Sequence, residues 1–169
     1  METGRGGEGI LSEEMDHKRE EIVGLLRRAY FMELETVINY VTNSTNPDGV
    51  RAQEVKESLE EDVQEELGHA RQFANRIKEL YGVVPGSMEF EAEQGYLQPP
   101  EKQVDVVHVI RGVIEAETGA IEHYTKIVEA TEGVDPVTQD MVIEILRDEQ
   151  GHRRLFEGFL REYEAEGKA

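Results

Sequence analysis

Two short strings in the chain place a carboxylate and an imidazole three residues apart: Glu66-Leu-Gly-His69 and Glu149-Gln-Gly-His152. On a helix that spacing sets both side chains on one face. Carboxylate with imidazole is a donor pair that holds a transition metal ion. A single Glu-x-x-His arises often on polar helix faces, but these two continue alike, through Arg71 and Phe73 in one and Arg154 and Phe156 in the other. A second pattern also occurs twice. Glu33, Val37 and Tyr40 are matched by Glu117, Ile121 and Tyr124, so each glutamate is followed by a β-branched aliphatic and then a tyrosine at the same steps. Glu66 follows Glu33 by 33 residues and Glu149 follows Glu117 by 32, which is the signature of one design used twice.

The elements that must position these residues are helices. Ile22, Leu26, Ala29, Val37 and Tyr40 fall on one stripe at three- and four-residue steps, and Glu33 interrupts it. Glu66 and His69 interrupt the stripe of Leu59, Val63, Phe73, Ile77 and Leu80. Glu117 breaks that of Ile110, Ile114, Ile121, Tyr124 and Val128; Glu149 and His152 break that of Val142, Ile145, Phe156, Phe159 and Tyr163. Glu115 is the one rival to Glu117, which alone keeps the helical steps to Ile114, Ile121 and Tyr124.

Punctuation divides the chain accordingly. Residues 1–12 read as a flexible Gly- and Glu-rich tail, with Ser12 as N-cap of a helix over about 13–43. The turn formers from Asn43 to Gly49 make the next helix, to about residue 81, an antiparallel neighbour. Residues 82–102 carry three glycines and three prolines without helical periodicity and read as a long connection. A third helix is predicted over about 103–131. The turn from Glu132 supplies Asp135 as N-cap and Pro136 at the first position of a fourth helix, which reaches about residue 164. The fold class is all-α: a single four-helix bundle over 13–169, built of two helical hairpins joined by a long crossover.

Such a bundle gathers four carboxylates and two imidazoles at one level of its interior. Burying isolated carboxylates costs several kcal/mol each, so a positive partner is required. The chain has no cysteine, which excludes disulfides, thiolate zinc sites and iron–sulfur centres. One imidazole per ion among many carboxylates suits iron, with manganese possible, better than structural zinc or calcium.

With 37 acidic against 18 basic side chains the formal net charge is -19, which argues against nucleic acid as a partner and favours cations. The acidic faces also keep a helical protein soluble. No run approaches membrane-spanning length, so no membrane partner and a cytoplasmic location are expected.

These residues resemble the ferritin-like superfamily, and most closely the bacterioferritins and the Dps-like ferritins that share their di-iron site. The resemblance covers about residues 27–159. It is densest from Asp140 to His152 and at Glu33 with Asn39 and Tyr40. By position it implies that Glu66 and Glu149 bridge two irons, with Glu33 and His69 completing one metal and Glu117 and His152 the other. It implies that Tyr40 is the tyrosine beside the di-iron site that supplies an electron during turnover; a plain core tyrosine is the alternative. Haem is not expected, because Leu67 stands where the bacterioferritins carry their haem-binding methionine. The fourth helix is followed by too little chain for the short fifth helix of the larger cages, which favours a dodecamer of identical chains.

The function implied is ferroxidase with iron storage and detoxification, using dioxygen or hydrogen peroxide. The alternative is a peroxidase or manganese-catalase-like enzyme that stores nothing. His17, His108 and His123 have no partners in the repeat and read as surface or boundary residues; Glu35, Glu65, Glu115 and Asp148 lie off the inner stripes and read as mostly solvated.

Overall fold

Each of the four long amphipathic segments forms a helix in the computed structural model, which describes residues 9–167. The helices are α1 (Asp16–Thr45), α2 (Gln53–Glu79), α3 (Val106–Thr131) and α4 (Pro136–Ala165), and no strand occurs among the described residues. α1 packs along α2 and α3 along α4 as antiparallel hairpins, because the joining turns are too short for any other arrangement. The hairpins face each other mainly through α1 and α3.

Of the expected tail, residues 1–8 lie outside the described residues. Residues 9–12 are docked instead of free: Ile10 is buried, and Arg19 donates to the Ile10 carbonyl at 2.7 Å and the Ser12 carbonyl at 2.9 Å. Ser12 makes no side-chain cap; a 3-10 turn, Glu13–Met15, precedes α1. The start of α4 follows its sequence, with Asp135 accepting from the Thr138 backbone N–H at 3.0 Å and Pro136 opening the helix. Arg76 ties this corner to α2. It is buried and donates to Thr138 Oγ1 at 2.8 Å and to the fully buried Asp135 at 2.9 Å.

The apolar core is divided in two. Tyr40, Leu59, Ile110, Val113 and Phe156 belong to one cluster, and Leu26, Phe73, Ile77, Ile127 and Val142 to the other. Each such side chain, fully buried, contributes roughly 1.5–3 kcal/mol. Every helix passes from one cluster to the other through a polar stretch, at Glu33, Glu66, Glu117 and Glu149. The two clusters clamp the polar layer from both ends of the bundle.

The crossover between α2 and α3 is a fixed strap. Glu35 is buried, not solvated as expected, and accepts the backbone N–H of Glu93 at 2.9 Å and of Gln94 at 2.8 Å. Asn43 donates to the Leu97 carbonyl at 2.9 Å. Gly112 on α3 permits the strap to lie close: a Cβ there would stand 2.6 Å from the Tyr96 carbonyl oxygen. A carboxylate spent on two backbone donors and a glycine spent on a close approach are both invisible to helical periodicity.

Candidate metal centre

Glu33, Glu66, Glu117 and Glu149 come from four different helices and are each no more than 2% exposed. With His69 and His152 they stand at one level of the interior, as the interrupted stripes predict. Glu115 is exposed and lies outside the cluster. Potential ligand atoms of Glu33, Glu66, His69 and Glu149 lie within 4.8 Å of one another, and so do those of Glu66, Glu117, Glu149 and His152. Glu66 and Glu149 belong to both groups. Two ions held side by side would therefore share these two carboxylates.

The imidazoles are oriented from outside. His69 Nε2 lies 3.0 Å from Asp148 Oδ2 and His152 Nε2 lies 2.8 Å from Glu65 Oε2. Each carboxylate takes the Nε2–H, which leaves Nδ1 turned toward the glutamates. His69 Nδ1 stands 3.2 Å from Glu149 and 3.6 Å from Glu33, and His152 Nδ1 stands 3.3 Å from Glu66 and 3.6 Å from Glu117. None of these approaches has hydrogen-bond geometry: both Nδ1 atoms, both Glu66 oxygens, Glu117 Oε2 and Glu149 Oε1 are buried without a hydrogen-bond partner. Unpaired buried polar atoms are costly, and here they converge on one point.

The electrostatics ask for positive charge. Burial first, and the neighbouring carboxylates after it, push Glu33 and Glu149 well above the usual glutamate range. Burial would raise Glu66 too, but the close approach of the Glu33 carboxyl and of the His152 and His69 imidazoles outweighs it and brings that carboxyl to about 2. Burial lowers a histidine, yet the surrounding carboxylates overcome it, driving His69 strongly upward and His152 to about 12. Without a metal, this raised affinity favours a second proton on each ring, at Nδ1; a divalent cation would replace that proton, take the Nδ1 lone pair and hold the carboxylates together better.

Two tyrosines complete the layer. Tyr40 on α1 donates to Glu117 Oε1 at 2.5 Å, and Tyr124 on α3 donates to Glu33 Oε1. Burial, then the adjacent carboxylates, raise both phenols well above their ordinary value, so both stay protonated.

Three neighbours of the cluster escaped the sequence reading as site residues. Asp148 and Glu65 were expected to be solvated; they are partly exposed but hold the imidazoles. Each stands one residue before the repeated glutamate, and that matched position was the available signal. Tyr124 was signalled by its equivalence to Tyr40. His123 was read as surface or boundary but is 6% exposed, with Nε2 donating to the Leu25 carbonyl at 2.9 Å. His17 and His108 are exposed.

No helix among the described residues is long and apolar enough to cross a membrane. The chain is 30% identical over 146 residues to a DNA protection during starvation protein of Pyrococcus furiosus, covering 83% of this chain and 77% of that one. It is 25% identical over 143 residues to a bacterioferritin of Desulfovibrio desulfuricans, covering 84% and 75% of the two. Its fold superposes with a TM-score of 0.82 on the dodecameric thioferritin of Bacteroides fragilis, a bacterioferritin-related protein, at 26% identity over 89% of this chain and 90% of that one. The ferritin-like domain matches residues 23–165, a span that holds the four helices but for the start of α1, with their long crossover, and the chain belongs to the ferritin-like domain family.

Proposed function

We propose that the protein is a ferroxidase that detoxifies and stores iron, binding two Fe(II) ions at Glu33, Glu66, His69, Glu117, Glu149 and His152. The observation that carries this reading is the convergence of unpaired buried donor atoms from Glu66, His69, Glu117, Glu149 and His152, which with Glu33 form two overlapping groups that share Glu66 and Glu149. Oxygen donors with one imidazole per ion suit iron, and manganese is the metal to test against it.

Two Fe(II) held side by side supply two electrons together: with two protons they convert dioxygen to hydrogen peroxide, or hydrogen peroxide to two waters. The shared carboxylates stabilise the added charge of the two Fe(III) produced. Tyr40 serves as a further electron donor in this reading. Its hydroxyl proton has a waiting acceptor in Glu117 Oε1. Relatives that include a dodecamer support a cage of identical chains as the assembly. The net charge of -19 supports cation collection and disfavours DNA as a partner.

The test loads purified apoprotein with Fe(II) under anaerobic conditions, admits air, and follows ferric absorbance in the parent and in Glu66→Ala and Glu149→Ala. Rapid oxidation in the parent, lost in both variants, with uptake continuing far beyond two irons per chain, is the expected result. Oxidation no faster than in buffer sinks the ferroxidase reading. Uptake that stops at two turns the assignment to a peroxide-consuming enzyme without storage.

A further inference from the structure

The two sides of the metal-binding layer differ in chemistry. On the α2 and α4 side stand the carboxylates of Asp62, Glu65 and Asp148, the latter two partly exposed. On the α1 and α3 side a hollow of about 10 Å³ reaches Glu33, Glu117 and Glu149. Its remaining wall is chiefly Met32, Ala116, Ala120 and Thr36, roofed by Gln94 of the strap. An outer chamber of about 250 Å³, open between Arg28, Tyr96, Glu122 and Lys126, shares Met32 and Gln94 with it. These two residues are the partition between the chamber and the hollow.

The roof is rigid and the wall is not. Gln94 is 5% exposed, accepts from Asn39 Nδ2 at 2.9 Å, donates to Thr36 Oγ1 at 2.7 Å, and is anchored through its backbone by Glu35. Met32 is half-buried and has three rotatable bonds, so it can swing where Gln94 cannot. Ala116 and Ala120, small residues one helical turn apart on α3, leave the hollow where larger side chains would close it. Into it face glutamates that retain buried, unpartnered oxygens, Glu117 Oε2 and Glu149 Oε1.

We propose that the small oxidant, dioxygen or hydrogen peroxide, reaches the metal centre through this hollow, past Met32 and beneath Gln94, while cations arrive from the α2 and α4 side. The proposal rests on the ferroxidase reading for the identity of the oxidant. The hollow has room for one water-sized molecule at a time. Inside the hollow, short of the centre itself, a divalent ion would have to shed its water against alanine, methionine and the Thr36 hydroxyl and Gln94 amide, which are already bonded to each other, and that desolvation is costly. A small uncharged molecule meets no such barrier.

The test uses nitric oxide as a probe of the size of dioxygen and Co(II) as a probe of cation uptake. Ala120→Leu fills the hollow, and Gln94→Ala opens its roof while the strap keeps its backbone anchors. Nitric oxide should associate with the anaerobic Fe(II)-loaded Ala120→Leu protein about tenfold more slowly than with the parent, equivalent to roughly 1.4 kcal/mol on the barrier. It should associate faster with Gln94→Ala, and Co(II) uptake should keep its rate and stoichiometry in both. Nitric oxide rates equal to the parent's in both variants overturn the proposal. So does a parallel slowing of Co(II), which would make the hollow a cation path. A parent that fails to oxidise iron but shows these nitric oxide rates sinks the ferroxidase reading and leaves the route standing.

Discussion

The hydroxyl of Tyr40 on α1 lies 2.5 Å from Glu117 Oε1 on α3, and the reciprocal bond runs from Tyr124 on α3 to Glu33 on α1. The duplicated design is thus interlocked: each hairpin supplies the tyrosine that holds the other's glutamate. Both rings sit in the apolar clusters, so each tyrosine links a core to the layer of buried glutamates and histidines.

Tyr40→Phe and Tyr124→Phe should each destabilise the metal-free protein by about 1–3 kcal/mol, since each removes a buried hydrogen bond to a carboxyl group. Urea unfolding measures this. Stopped-flow absorbance separates them further: Tyr40→Phe should slow iron oxidation over repeated turnovers more than Tyr124→Phe does. Equal kinetics in the two variants would reduce Tyr40 to a positioning residue.

Asp148→Ala and Glu65→Ala should each weaken metal binding about 10- to 100-fold, because the imidazole then loses the acceptor that orients its ring and keeps Nδ1 free. Co(II) titration of the apoprotein reads the affinity directly. Parent-like binding in both would show that the exposed carboxylates do no orienting.

His123 is held below the ordinary histidine value by burial. Its folded pKa is lower than its unfolded one, so the unfolded state takes up the proton first. Its contribution to stability is complete above about pH 6.5 and declines as the pH falls below that. The stability gap between the parent and His123→Gln, from urea unfolding at a series of pH values, should narrow on acidification below pH 6.5. A gap that is constant from pH 8 to pH 5 contradicts this.

Arg76→Met should cost about 3–5 kcal/mol, because it leaves Asp135 buried without its cation at the corner that joins α2 to the start of α4. The double variant Arg76→Met with Asp135→Ala should recover part of that loss. Unfolding of the single and double variants gives the coupling, and an additive pair would place the two residues in separate interactions.

The inner carboxylates and imidazoles were legible because helical periodicity is a local property. A residue's face follows from its register, and Glu33, Glu66, His69, Glu117, Glu149 and His152 each occupy an inner position where an apolar residue is due. The repeat then said that the two hairpins match, which set the helix order, the all-α bundle and the level at which these residues meet. Register also limits what can be read. Glu35 is two residues from Glu33 and falls off the inner stripe, yet it is buried because the strap crosses above it. His123 is buried because α1 passes over it and offers the Leu25 carbonyl.

Only the packing of one hairpin on the other decided that Tyr40 meets Glu117, that Tyr124 meets Glu33, and that Asp148 and Glu65 reach across to the opposite helix's imidazole. The strap's path, and with it the hollow beneath Gln94, was likewise decided by tertiary contacts. The physical reason is that a side chain's face is set within one turn of its own helix, while its partner is set by where a segment tens of residues away comes to rest.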